Sequence, residues 1–297
     1  MTDLVQLDVN VNAPQGRAVR LSSVPLLSRR YVGEAGQQVH LLEGGTEADG
    51  VPLYCFHATA YSGRSLAPLV RALAPSRRVA AMDTPGYGGS DAPAERLGLP
   101  GYVDAVEAGL QAAREGPVDI FGYHTGTLIA AELARRHPGR VRRLVLIGVP
   151  FFSGDEQATW RRTLAQPTSL GPDLEQFRDK WNFFIRDRPS GVDLAKGFEN
   201  FVDELRAWPN GWWAHDAAFR FEVQNCFAAI QQPALIINPH NHLAVASRQA
   251  AAVLRHARLV EMPHLANGIF DVAAEEIARL IDGFLNEAEA PRAQGQV

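Results

Sequence analysis

Cysteine is scarce in this chain: two residues in 297, Cys55 and Cys226, both set in apolar runs. Such a count excludes a disulfide framework and fits buried, reduced thiols. Excess positive charge is missing as well. Twenty-nine Lys and Arg stand against 33 Asp and Glu, a formal charge of −4, so nucleic acid and an anionic membrane surface are not expected partners. No apolar run reaches the ~20 residues that a membrane-spanning helix needs. No basic, apolar, small-residue signal opens the sequence, which makes the cytoplasm the expected compartment. Repeats of fixed period are absent too. What is present, 46% hydrophobic and 21% charged residues, belongs to an ordinary globular protein with material for a sizeable core.

Short β-rich runs alternate with helical stretches over most of the length, the pattern of a mostly parallel sheet with helices on both faces. "RRYVGEAGQQVHLLEGG" reads as two strands, "VPLYCF" as a buried strand, and "RRVAAMD" as another that ends in the loop "DTPGYGGSD". The segments "PVDIFG", "VRRLVLIGVP", "PALIIN" and "RLVEMP" supply further strands, with helices between and after them. Between 151 and 230 the alternation stops. That stretch is helical in flavour, broken at Pro167, Pro172, Pro189 and Pro209, and holds all five tryptophans. The expected organisation is an N-terminal arm at 1–27, a core at 28–149 and 231–287, a helical cap at 150–230 inserted after the sixth strand, and a polar tail at 288–297.

One junction carries the chemistry. The strand "PVDIFG" meets the helix "TGTLIAAELARR" across Gly122-Tyr123-His124-Thr125-Gly126. This is the frame of a nucleophile elbow, Gly-x-nucleophile-x-Gly, in which strand and helix approach closely and the apex residue projects into a cavity. An imidazole stands at the apex in place of a hydroxyl. With an ordinary pKa near 6.5, a histidine is competent as an acid or a base at neutral pH. Thr125 and Thr127 follow it on the helix, so their hydroxyls are not expected to project as the apex does. The N–H of Thr125 opens the helix, where an oxyanion is favoured.

These landmarks, "FHATAYSG", "DTPGYGGSD", "GYHTG", the helical insertion and "MPHLANGIFD", occur in the order found in the capped α/β-hydrolases, and over residues 28 to 287 the chain resembles that family. The branch includes esterases, epoxide hydrolases, haloalkane dehalogenases and carbon–carbon bond hydrolases. The resemblance implies a nucleophile, an acid and a histidine in chain order. It puts His124 at the nucleophile, His242 (with Asn241 beside it) at the acid, and Asn267 at the histidine, with His264 three residues earlier. The ordinary triad is gone. The resemblance also implies a second oxyanion donor at the N–H of Thr59, just past His57 and Ala58, with His57 bracing the loop. Asp83 and Asp91 fall in a structural turn.

Several histidines converge on one expected cavity. There is no His-x-x-x-His on a helix and no Cys pair, so no metal is expected, and "GYGG" is not a dinucleotide fingerprint, so neither is a cofactor. The aromatic cap, with Trp212 and Trp213, is expected to wall an apolar pocket for a small molecule. Three readings stay open. In the first, a hydrolase-like enzyme uses His124 as base or nucleophile on a small hydrophobic or aromatic carbonyl or ester compound, with His242 and Asn267 orienting or shuttling protons. In the second, the fold serves a cofactor-free lyase or oxygenase. In the third, it binds a ligand without catalysis. Oligomeric state is not written in the sequence.

Overall fold

The structure, a computed structural model, describes residues 27–46, 50–113 and 116–288. The expected arm and tail lie outside these residues, apart from Leu27 and Ala288. The first half of the chain runs β1 (Ser28–Val32), β2 (Val39–Gly44), β3 (Leu53–Phe56), a 3-10 turn into α1 (Ala67–Leu73), β4 (Val79–Met82), α2 (Leu99–Ala113), β5 (Val118–Tyr123), α3 (Thr125–Arg136) and β6 (Val141–Ile147). The inserted segment follows, with α4 (Gly154–Leu164), α5 (Arg178–Trp181), a π turn at Asn182–Arg186, α6 (Leu194–Leu205), α7 (Trp213–Ala218) and α8 (Val223–Ala228). The chain then finishes the sheet with β7 (Ala234–Pro239), α9 (Ala244–Val253), β8 (Ala257–Met262) and α10 (Ile269–Leu285).

Among the described residues the strands form one eight-stranded sheet in the order β1-β2-β4-β3-β5-β6-β7-β8. Only the pairs β1/β2 and β2/β4 are antiparallel; from β4 to β8 every neighbour is parallel. The central strands are apolar on both faces because both faces are covered. All four residues of β3 are buried, and so are all of β4. On one face Leu99, Val103, Val106 and Leu110 of α2 and Leu128 and Leu133 of α3 close the core. On the other, Leu69, Val70 and Leu73 of α1 meet Ile277, Ile281 and Phe284 of α10. The outermost strand, β8, carries Arg258 and Glu261, charges that discourage pairing of a free edge.

Parallel strands end at one edge, and the loops after β3, β5, β7 and β8 all open there. Those are the loops of Thr59, His124, His242 and Asn267. Above this edge sit α4 to α7. Asp203 of α6 accepts the N–H of Ser62 at 2.9 Å and its hydroxyl at 2.8 Å, below the buried loop after β3. The Tyr87 hydroxyl donates to Gly211 C=O at 3.0 Å and accepts the Ala214 N–H at 3.1 Å. Buried Asp216 of α7 pairs with Arg161 at 2.7 Å, Arg220 at 3.0 Å and Arg96 of the core at 3.5 Å. The last inserted helix behaves differently: Val223, Cys226 and Phe227 of α8 pack into the core layer itself.

Candidate active site

The elbow forms because two glycines leave no room for side chains. A Cβ on Gly122 would lie 2.6 Å from the Gly126 carbonyl oxygen, and one on Gly126 would lie 2.2 Å from the Phe56 carbonyl oxygen. Strand β5, helix α3 and the end of β3 therefore pack backbone to backbone. At the apex His124 takes φ 49° and ψ −119°; among the described residues it is the one non-glycine with positive φ. The turn is held from both sides. The His124 N–H donates to Ile147 C=O at 3.0 Å, and its own carbonyl accepts Thr127 N–H at 2.9 Å and the Thr127 hydroxyl at 2.6 Å.

The imidazole leans on Tyr123, ring centroids 4.1 Å apart, and meets His242 edge-on at 5.8 Å. His242 in turn lies 5.5 Å from Trp160. Nε2 of His124 is buried without a hydrogen-bond partner among the described residues. It sits only 2.9 Å from where a Cβ on Gly148 would stand. Burial, reinforced by His242 and His215, pushes the His124 pKa down to about 3. Burial also takes His215 down to about 4, with Lys180 adding to the effect, and it lowers His242. His124 and His215 are therefore neutral at neutral pH.

These histidines face a cavity of about 690 Å³ between the sheet edge and α4 to α7. Thr59, His124, His242, Asn267 and Trp212 all line it, so most of the residues singled out in the sequence do converge. His57, Trp213 and Thr125 are not among its lining residues. His57 is clamped between loops: its Nε2 accepts Thr84 N–H at 2.9 Å, so Nδ1 carries the proton and donates to Ala58 C=O at 2.9 Å. It is a brace between two turns, not a substrate contact. Trp213 is one position past Trp212 at the start of α7, and a step of about 100° around a helix turns it off the cavity. Thr125 is buried beneath the lining, at 8% exposure.

The Thr125 hydroxyl nevertheless matters to the site. Thr59 N–H donates to Thr125 Oγ1 at 2.7 Å, and the two threonine hydroxyls lie 2.8 Å apart. The amide that the resemblance assigns to an oxyanion is thus engaged by a side chain of α3.

His264 lies on the surface against Glu276, 3.1 Å away, outside the cavity lining. Asp83 is bound within its own turn and to His40. Burial alone would raise its pKa, but His40 at 2.8 Å and the amides of Gly89 and Gly63 hold it below the usual carboxylate range. Asp91 accepts the Gln38 amide at 2.8 Å. Among the described residues no group of three or more His, Cys, Asp or Glu is arranged to hold a metal, and no helix is long and apolar enough to cross a membrane.

The structure adds residues that sequence reading did not single out: Tyr61, Tyr123, Trp160, His215 and Asp271. Asp271, in the first turn of α10, is raised in pKa chiefly by burial, with Lys196 3.9 Å away opposing the shift. Tyr61, Tyr123 and Asp271 all fall inside motifs already conspicuous in the sequence. His215 does not; it is a lone histidine in "WWAHDAAF" with no spacing to mark it.

Residues 51–167 match the family model for the alpha/beta hydrolase fold. The chain is 30% identical over 246 residues to a 2-hydroxymuconate semialdehyde hydrolase of Pseudomonas putida, covering 72% of this chain and 79% of that one. With the enzyme of the same name from Pseudomonas sp. (strain CF600) the identity is 36% over 144 residues, and there the chain spans about half of its relative, 46% of each being aligned. A pimeloyl-[acyl-carrier protein] methyl ester esterase of Neisseria meningitidis serogroup C is 28% identical over 254 residues, 78% of this chain and 93% of that one. The crystal structure of a hydrolase from Pseudomonas aeruginosa PA01 superposes with a TM-score of 0.75 over 87% of this chain and 98% of that one, at 19% identity, a likeness of fold alone. This chain belongs to the α/β-hydrolase fold family.

Proposed function

We propose that the chain is an enzyme acting on a small, uncharged, hydrophobic or aromatic carbonyl or ester compound, with His124 as its reacting base or nucleophile. One observation carries this reading. A residue held off the common backbone regions costs about 1–3 kcal/mol and persists where its surroundings over-determine it; here the strain puts an imidazole on the cavity floor. The relatives named for a semialdehyde and a methyl ester support the carbonyl or ester class. Tyr61, Trp160 and Trp212 support a flat apolar substrate.

The low pKa constrains how such a residue works. Taking a proton, or forming a bond to a carbonyl carbon, gives the ring a positive charge. A pKa near 3 makes that about 5 kcal/mol harder than for imidazole in water. The offset has to come from negative charge developing on the substrate oxygen in the same step. Opposite charges about 4 Å apart attract by roughly 4 kcal/mol at an effective dielectric of 20, enough to offset most of the penalty. The reaction therefore suits a substrate whose carbonyl oxygen becomes an enolate or alkoxide beside the ring. In this reading the N–H of Thr125 faces that oxygen, Thr59 holds the Thr125 hydroxyl beside it, and His242 and Asn267 orient the substrate.

A second reading is favoured by the Thr59–Thr125 hydrogen bond. If that bond persists with ligand in place, the Thr59 amide receives no tetrahedral oxyanion, and a cofactor-free lyase, an oxygenase or a binding protein fits better.

The test compares metal-stripped wild type with His124→Ala on aryl esters, lactones and β-dicarbonyl compounds. Turnover by the wild type that falls at least a hundredfold in the variant, on the order of one lost general base, is the expected result. Equal turnover in both proteins would remove His124 from the chemistry.

A further inference from the structure

The interior of the elbow contains an oxygen where this architecture would receive an anion. Thr125 Oγ1 takes the Thr59 N–H at 2.7 Å and stands 2.8 Å from Thr59 Oγ1. It does so from the first residue of a twelve-residue helix, the end whose field favours negative charge. A neutral hydroxyl fills the place. The rest of the cavity does not invite an anion either. Burial holds His124 and His215 neutral. Asp179, Glu204 and Asp271 line it, Lys180 is engaged with Glu204, and the Arg188 guanidinium is tied to the carbonyls of Val192 and Ile185 through Nε and Nη1.

We infer that Thr125 is a specificity-determining residue: its hydroxyl plugs the anion position of the elbow, so that the cavity takes neutral carbonyl ligands and refuses carboxylates of the same shape. This rests on the proposed reading only in taking the cavity as the ligand site. It needs no turnover. Removing the plug exposes the Thr59 amide to the cavity that Thr59 already lines. Replacing the hydroxyl with a methyl group keeps the place filled and leaves the amide without an acceptor. A serine keeps the oxygen.

The experiment measures the binding of acetophenone and of benzoate, a neutral carbonyl compound and a carboxylate of similar shape, to wild type and to Thr125→Ala, Thr125→Ser and Thr125→Val, by calorimetry. Thermal melts confirm that each variant is folded. Wild type and Thr125→Ser should bind acetophenone and bind benzoate weakly. Thr125→Ala should gain roughly tenfold or more for benzoate, the scale of one hydrogen bond to a charged group. Its acetophenone affinity should stay within about threefold, the scale of an ordinary neutral contact. Thr125→Val should show no gain.

Wild type binding benzoate as tightly as acetophenone would overturn the inference, and so would a Thr125→Ala variant without the gain or an equal gain in Thr125→Val. If acetophenone binds and the benzoate pattern fails, the plug alone is wrong. If neither probe binds any of the proteins, the plug falls together with the cavity's assignment as a site for aromatic carbonyl ligands.

Discussion

Replacing His124 with glutamine should flatten the acid side of the protein's stability profile, by an amount that follows from one buried ring. In the unfolded chain His124 takes up a proton near its ordinary pKa of 6.5, whereas in the fold burial beside His242 and His215 holds it down to about 3. The folded value is the lower one. Between these two pH values the unfolded state binds the extra proton, and stability falls as pH falls. The contribution is complete above about pH 6.5 and is lost progressively down to about pH 3. Taken from pH 7.5 to pH 5.0, the linkage relation gives a loss of about 2 kcal/mol from His124 alone. His215 and His242 act in the same direction, but both remain in His124→Gln and cancel in the difference between the two proteins. Glutamine keeps a polar, similarly sized side chain at the apex, so the cavity floor is not emptied. Urea unfolding of both proteins at the two pH values is the assay. Wild type should lose about 2 kcal/mol more than the variant on acidification. Curves parallel within about 0.5 kcal/mol, near the limit of the extrapolation, would refute the reasoning, as would a His124 ring that titrates near 6.5 by NMR.

Two further outcomes follow from the packing. Gly126→Ala should cost about 2–3 kcal/mol or more in urea unfolding, since its Cβ would meet the Phe56 carbonyl at 2.2 Å and neither backbone can yield cheaply; a change below about 0.5 kcal/mol, the range of an ordinary surface substitution, would show that the elbow relaxes. Ser62→Ala removes a hydroxyl from the buried Asp203 carboxylate. The expected cost is about 1.5–3 kcal/mol, with faster proteolysis within α6 as a second readout.

The sheet was legible in the sequence because burial on both faces leaves a plain mark: runs such as "LYCF" and "LVLI" have no solvent side to write polar residues on. The elbow was legible because the close approach of three backbones admits only glycine at Gly122 and Gly126. His242 and Asn267 were picked out by the order of the landmarks that the chain shares with the family it resembles. What stayed hidden were properties of space. His215 carries no motif and reaches the cavity only because α7 folds back over the sheet edge. The hydroxyl of Thr125 meets an amide 66 positions earlier, and no periodicity encodes such a meeting. The ring of His124 suggests neutral-pH proton transfer by its type, and burial moves it far from that range.

The ties between the inserted helices and the sheet bear on how this protein can change over evolutionary time. Asp203 is bound to the loop after β3 through Ser62, while Gly211 with Ala214 and Asp216 are bound to two points of the loop between β4 and α2, through Tyr87 and Arg96. The roof of the cavity is thus riveted at separate points, and α8 is built into the core outright. A roof hung on one hinge can drift in sequence while the rest stands still. Here a substitution in the roof at Asp203, Gly211 or Asp216 is felt in the core loops that carry Ser62, Tyr87 and Arg96, so the shape of the cavity and the stability of the fold are coupled.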